Sequence, residues 1–378
     1  MQFPIETEAL VVEAAGGDFE MRRIVIDELK PDEVLVEMKY SGVCHTDFLL
    51  QDGSLGGLIE FPAIAGHEGA GIVRAIGSQV KDQSLKVGDP VLLSFTACGK
   101  CEPCRERKLS KCSLFPFVNL AATRWPDGSA SAKLLDGRPV GGQFFGQSSF
   151  ARISAVHEKC VVKCPDPDQM SIYAPMGCGY QTGAGAVFNV LKPKPSQTIA
   201  LFGVGSVGSA ALMAAASLGL KQIIGVDLVN RKLTLAKSLG ATHVINPSKL
   251  QMSVAEEIKT VTGGRGVDFA IDTTGIPKVI EQMLDSLAFG GTAASVGAPP
   301  KGATVTLDAG AFFSTFKNWV TITEGDSYPP EFIPRLIELH REGKFPVDKI
   351  SKVYPVEEFK KAVADMEAGV VIKPIIQL

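Results

Sequence analysis

Cysteine and histidine are the side chains here whose spacing could do chemistry. Four of the chain's eight cysteines, Cys98, Cys101, Cys104 and Cys112, fall in the stretch 98–112 as C-x2-C-x2-C-x7-C. Thiolates spaced in this way can converge on one tetrahedral ion, and four sulfurs with no open position describe a structural zinc site. An iron–sulfur cluster uses a similar three-cysteine run. Its fourth cysteine comes three residues on and precedes proline, whereas Cys112 comes seven on and precedes Ser113. A second set is dispersed: Cys44 and Asp47 in CHTD, His67 and Glu68 in GHEG, and Cys178 in GCG. Two cysteines and a histidine could make a zinc site whose fourth position is open to water or substrate. Long separations leave that reading open, since a single histidine such as His67 serves equally well as a hydrogen-bonded polar residue.

Gly203-Val204-Gly205-Ser206-Val207-Gly208 is a G-x-G-x-x-G that follows an apolar strand-like run and opens a helical one. Gly203 permits the tight turn, Gly205 lets backbone approach a pyrophosphate, and Gly208 lets helix and strand pack closely. The phosphates would sit at a helix N-terminus, where free N–H groups and the dipole favour negative charge. Asp227 lies nineteen residues beyond Gly208, about where an acid meets the adenosine ribose hydroxyls. A carboxylate there disfavours a 2′-phosphate and so favours NAD over NADP, although Arg231 and Lys232 stand close by.

These residues need a scaffold. Residues 8–90 read as short alternating or apolar strands broken by glycines, as in ALVVEAA, DEVLVEMKYSGV and GAGIVRAIG. From Thr198 onward strand and helix alternate: TIALFGV, SVGSAALMAAASLGL, QIIGVD, RKLTLAKSLG, HVIN, then VDFAID and GGTAASVGA. That order specifies parallel βαβ units. The tail closes on the strand-like VVIKPIIQL. The expected fold class is α/β, with a nucleotide domain at 179–323 inserted into a β-rich catalytic domain made of 1–178 and 324–378.

Composition narrows the function. The chain has 378 residues, 45% hydrophobic and 21% charged, with a formal net charge of −3. Nucleic-acid binders carry a basic face, and no basic run is present, so no nucleic-acid partner is expected. No apolar run approaches the roughly 20 residues that span a bilayer, and the first ten residues lack a signal pattern. A cytoplasmic protein without a membrane partner is expected.

GVCHTD, GHEGAGIV, the four-cysteine lobe, GCG and GVGSVG occur in the order found in medium-chain zinc-dependent alcohol dehydrogenases, and the chain resembles that family over essentially its whole length. The stretch EGDSYPPEFIPRLIELHREGKFP and the terminal IKPIIQL are most similar to the aryl (benzyl) alcohol dehydrogenase branch. The resemblance implies a GroES-like catalytic domain joined to a Rossmann doubly wound parallel sheet, with one catalytic and one structural zinc per subunit. Cys44, His67 and Cys178 would hold the catalytic ion, Asp47 would orient His67, and Glu68 would lie behind the metal. Thr46 would receive the alcohol proton. Thr182 and Val207 would pack near the nicotinamide, Val296 would meet its carboxamide, and Lys373 would stand at a pyrophosphate-binding position otherwise held by arginine. A dimer or tetramer is expected.

The implied reaction interconverts a primary alcohol and its aldehyde. Zinc can lower the pKa of bound water from 15.7 to about 7, a shift worth roughly 12 kcal/mol at about 1.36 kcal/mol per unit. One departure stands out: relatives end the proton relay at a histidine where this chain has Leu49. His45 is the available substitute, of a type that titrates near neutral pH. Ser94 and Ala298 replace bulkier residues and suit an aromatic or branched substrate. A lyase or decarboxylase on the same scaffold is the alternative, and a non-enzymatic dinucleotide binder a more distant one. Cys160 and Cys164 read as small buried hydrophobes, His157, His243 and His340 as surface or capping residues, and Phe312, Phe313 and Phe316 as core or subunit interface.

Overall fold

The computed structural model describes residues 2–55 and 57–378. Ile5–Val12 and Phe19–Ile26, each ending in a buried apolar run, form an antiparallel pair, with Leu10 opposite Met21. Ala63–Ile64 on one side, and Ala132–Leu134 with Pro139–Val140 on the other, extend it to a five-stranded sheet. Glu33–Gly42 anchors a second, seven-stranded sheet with Gly69–Ile76, Pro90–Leu93, Val161–Lys163 and Ile153–His157. The C-terminal strand Lys373–Gln377 joins that sheet antiparallel to Glu33–Gly42, placing Ile376 opposite Ser41. The two ends of the chain therefore share one β-rich body. Its core runs from Leu10 and Ile24 through Phe144 and Phe150 to Tyr354 and Phe359.

The third sheet is wholly parallel. Its order is His243–Ile245, Gln222–Val226, Thr198–Phe202, Val267–Asp272, Leu287–Ser295 and Asn318–Thr321. Numbered along the chain this is 3-2-1-4-5-6, the doubly wound order that leaves a ligand crevice beyond the C-terminal ends of the first and fourth strands. The first strand is buried at all five positions, as a sheet covered on both faces requires. Helix Ser206–Ser217 covers one face with an Ala-rich surface buried from Gly208 to Ala215. Ile258, Ile280 and Met283 help to fill the other.

Two glycines where the first strand passes into the helix are dictated by sterics. Gly203 has φ +88°, a left-handed conformation that glycine alone adopts at no cost. A Cβ at Gly208 would lie 2.0 Å from the Gly203 carbonyl oxygen, so any larger residue would push the helix off the strand. Cys160 and Cys164 are buried and free, as expected, and flank the strand Val161–Lys163. His157 caps the turn that follows it, accepting from the Lys159 N–H at 3.1 Å. No helix among the described residues is long and apolar enough to cross a membrane.

Candidate active site and its metal centres

Three separate elements deliver the dispersed set. Cys44 precedes the short helix His45–Gln51 as its N-cap. Asp47, at the third helical position, reaches back to the Cys44 N–H at 2.9 Å, the reciprocal arrangement that stabilises a helix start. The other Asp47 oxygen takes the Gly66 N–H at 2.9 Å and His67 Nδ1 at 2.8 Å. This fixes the proton of His67 on Nδ1 and leaves Nε2 with its lone pair free, as a metal-binding imidazole requires. Cys178 sits between the turn Ala174–Gly177 and the helix Gly179–Gly185.

The Sγ atoms of Cys44 and Cys178 and a ring nitrogen of His67 all lie within 4.8 Å of one another. His67 is fully buried and its Nε2 has no hydrogen-bond partner among the described residues. An unpaired buried polar atom costs about 1–3 kcal/mol, so a partner outside the protein is called for. The contact with Cys178 pulls the Cys44 thiol well below the ordinary thiol range, helped by His67 and Lys373 against burial. Thiolate and neutral imidazole are the donors zinc accepts, and the set fits that ion.

The four-cysteine set also converges within 4.8 Å. Cys98 and Cys104 sulfurs are 3.9 Å apart, Cys101 and Cys112 4.0 Å, and Cys101 and Cys104 3.3 Å. Sulfurs at about 2.3 Å from a tetrahedral ion would be roughly 3.8 Å apart. Backbone N–H groups of Lys100 and Cys101 point at Cys98 Sγ, and that of Cys98 at Cys112 Sγ, each at 3.4 Å. Such donors favour thiolate, and backbone hydrogen bonds from Ser113 and Cys104 bring the Cys101 thiol down to about 6.

The residues that the sequence reading assigns to the cofactor are placed mostly about the C-terminal end of the parallel sheet. Asp227 follows the second strand, and its carboxylate accepts the Val204 and Val229 N–H groups at 2.9 and 2.8 Å. Val207 lies in the first turn of the glycine-loop helix, where its carbonyl would sit 2.0 Å from a Cβ at Gly183, next to Thr182. Val296 donates its N–H to the Asp272 carbonyl at the end of the neighbouring strand. Lys232 is half-buried near Gly369. Thr46 Oγ1 stands 3.9 Å from Cys44 Sγ, while His45 is exposed at the rim.

Two placements depart from the sequence reading. Lys373 is only 2% exposed and its ammonium donates to both Glu68 oxygens, at 2.8 and 3.0 Å, and to the Val43 carbonyl at 3.0 Å. Lysine has three N–H bonds and no guanidinium fork, so in this structure Lys373 faces Glu68 and has no proton left for a phosphate. Glu68 in turn also accepts the Gly179 N–H at 3.0 Å. Ser94 is fully buried, bonded to the Gly177 carbonyl at 2.6 Å and to Gln181 Nε2 at 2.7 Å, so it braces the turn that carries Cys178.

Sequence reasoning missed Glu324. Burial pushes its carboxyl up to about 7, and its Oε1 lies 3.6 Å from Cys178 Sγ. Its only signal was membership of EGDS, which the resemblance marked without assigning a role. It also missed the aromatic wall: the Phe145 ring stacks on His67 at 4.6 Å and Phe144 meets it edge-on at 5.5 Å.

With this geometry in hand, known proteins are informative. The model of the alcohol dehydrogenase GroES-like domain matches residues 30–166, and that of the zinc-binding dehydrogenases matches 206–340. Geraniol dehydrogenase of Castellaniella defragrans is 37% identical over 98% of both chains. The chain belongs to the zinc-binding alcohol dehydrogenase family. Alcohol dehydrogenase class-3 of Cereibacter sphaeroides is 31% identical over 98% of this chain and all of the relative. Among solved structures, benzyl alcohol dehydrogenase of Acinetobacter calcoaceticus superimposes with a TM-score of 0.92 at 38% identity over 99% of each chain. A zinc-binding-domain alcohol dehydrogenase of Burkholderia ambifaria does so with 0.93 at 40%, again over 99% of each chain. The chain is thus an alcohol oxidoreductase that works with zinc and NAD(P). A lyase finds no support among these relatives.

Proposed function

We propose that this enzyme interconverts a bulky primary alcohol, aromatic or allylic, and its aldehyde with NAD as hydride acceptor. The convergence of Cys44, His67 and Cys178 around an unpartnered imidazole nitrogen carries the reading. Bound there, zinc supplies Lewis acidity toward the alcohol oxygen and so lowers the pKa of the hydroxyl. Thr46 accepts the hydroxyl proton, and His45 passes it from the rim to solvent. Asp47 keeps His67 in the tautomer and orientation that metal binding needs. Thr182 and Val207 flank the nicotinamide, with Val296 at its carboxamide. Gly203, Gly205 and Gly208 receive the pyrophosphate, and Asp227 takes the ribose hydroxyls and repels a 2′-phosphate. The flat Phe145 ring against His67 favours a ring or a branched chain, since aromatic contacts add about 0.5–1.5 kcal/mol beyond burial.

In this reading residues 1–178 and 324–378 form the catalytic unit and 179–323 the nucleotide unit of a cytoplasmic protein. Self-association runs through the edge strand Asn318–Thr321, where Phe289, Phe313 and Phe316 are largely exposed. Light scattering should give a dimer or tetramer that Phe316→Glu weakens, and a monomer at micromolar concentration would remove this part.

A panel of benzyl alcohol, geraniol and ethanol with NAD and NADP, followed by absorbance of the reduced cofactor, tests the function. Benzyl alcohol or geraniol should exceed ethanol in kcat/KM by about 100-fold, the order that about 3 kcal/mol of pocket binding gives. NAD should exceed NADP. Equal rates on benzyl alcohol and ethanol would contradict the substrate reading. His45→Gln should lower turnover most at low pH, and an unchanged pH–rate profile would remove His45 from the relay.

A further inference from the structure

Three buried carboxylates surround the dispersed metal set, and each is held differently. Asp47 spends its oxygens on His67, Gly66 and Cys44. Glu68 spends its own on Lys373 and Gly179. Glu324 has one oxygen fixed, Oε2, which accepts from Gln181 Nε2 at 3.1 Å. Among the described residues its Oε1 meets only Cys178 Sγ, at 3.6 Å. A sulfur held by a metal no longer donates to that oxygen, which leaves Oε1 free to share the ion that Cys178 holds.

The spacing is that of two ligands on one ion. A sulfur at about 2.3 Å and an oxygen at about 2.1 Å on a tetrahedral zinc are roughly 3.6 Å apart. The backbone is arranged to bring Glu324 here. It has φ +50°, a left-handed conformation that strains a non-glycine residue and collects at functional sites. Ser327 holds the turn through the Glu324 carbonyl at 2.6 Å, and also bonds Gln181 Oε1 at 3.0 Å. Gln181 is thereby orientated to present its amide to Glu324. Glu324 does not belong to the 4.8 Å set formed by Cys44, His67 and Cys178, so full ligation takes a turn of its side chain. That is the property of an exchangeable ligand.

We propose that Glu324 is the fourth ligand of the catalytic metal in the resting enzyme, closing the position that an alcohol later occupies. The inference rests on the metal reading of Cys44, His67 and Cys178. Cobalt(II) replaces the metal as a spectroscopic probe, and spectra of the full-length native protein and E324Q are subtracted without alcohol or cofactor, so that the four-cysteine centre cancels. The expected result is a change in the d–d bands of the resting enzyme and about 10-fold faster loss of one ion to a chelator, the order that loss of a coordinating-sphere partner produces. Superimposable spectra with equal loss rates, at two ions per chain, would overturn the assignment of Glu324 while leaving the metal reading intact. One ion per native chain would overturn both. If E324Q does not fold, E324D, shorter by one methylene, carries the same comparison.

Discussion

The two metal centres of this chain are built from similar atoms in opposite ways. The four-cysteine lobe is local: its ligands lie within residues 98–112, carried by the four-residue helix Glu102–Arg105 and the turn Leu109–Lys111. Neither element would hold its shape alone. Four sulfurs close the coordination sphere and backbone N–H groups steady them, so the metal would supply structure. The other centre is assembled by the whole fold. Its ligands come from a helix cap, a loop between strands and a turn between helices, and one coordination position is left without a protein sulfur or imidazole. Rigidity from long-range packing is what allows a centre to stay open. The lobe still reaches the open centre. Lys111 pairs with Asp326 at 2.5 Å, Arg107 pairs with Glu331, and the Arg107 guanidinium lies 4.1 Å over the Tyr328 ring. The segment gripped in this way begins at Glu324.

The contrast can be broken most forcefully at the ligands. Cys178→Ser should leave the fold intact, remove one metal ion per chain and cut kcat by at least about 1,000-fold, several kcal/mol of lost charge stabilisation. Metal analysis beside steady-state kinetics decides it. Cys112→Ser should do the reverse, lowering the thermal midpoint by on the order of 10 °C with a smaller loss of kcat in the protein that remains folded. If Cys112→Ser abolished turnover without lowering the midpoint, the division between structure and chemistry would fail.

Legibility followed the same division. The lobe could be read from Cys98 to Cys112 because its geometry is encoded in short spacing, and the glycine loop because each glycine meets a local steric demand. Cys44, His67 and Cys178 could not be joined by spacing, since strand pairing and helix packing bring them together. Only the family resemblance made them visible. The role of Asp47 came from the same resemblance, although it sits only three residues from Cys44, one helical turn. The pairing of Lys373 with Glu68 was not legible because the two lie 305 residues apart, and Glu324 was missed because a left-handed turn, not a motif, aims its side chain. The β-rich body and the parallel sheet were both evident in hydrophobic rhythm, which burial on one or two faces imposes.

Smaller effects sharpen the comparison. Asp47→Asn keeps the shape but weakens the acceptor behind His67, so affinity for the catalytic metal should fall about 10- to 100-fold while the lobe keeps its ion. A competition titration with a chromophoric chelator measures this, and equal retention of both ions would deny Asp47 its role. Near the lobe, burial and the neighbouring Lys159 charge hold His157 down to about 4 from the usual 6.5. The unfolded chain therefore takes up that proton first. Stability should be full above pH 6.5 and decline as pH falls toward 4, by about 3 kcal/mol from this residue. His157→Phe should flatten that part of the denaturation profile, and an unaltered profile would assign the acid sensitivity elsewhere.

The most direct test of an open metal centre beside a cofactor crevice is to strip and restore metal while counting both ions and turnover. The account predicts two zinc ions per active chain. Activity should vanish in proportion to the loss of the one held by Cys44, His67 and Cys178, and return when zinc is added back. Full activity in protein that retains only the four-cysteine zinc would contradict it.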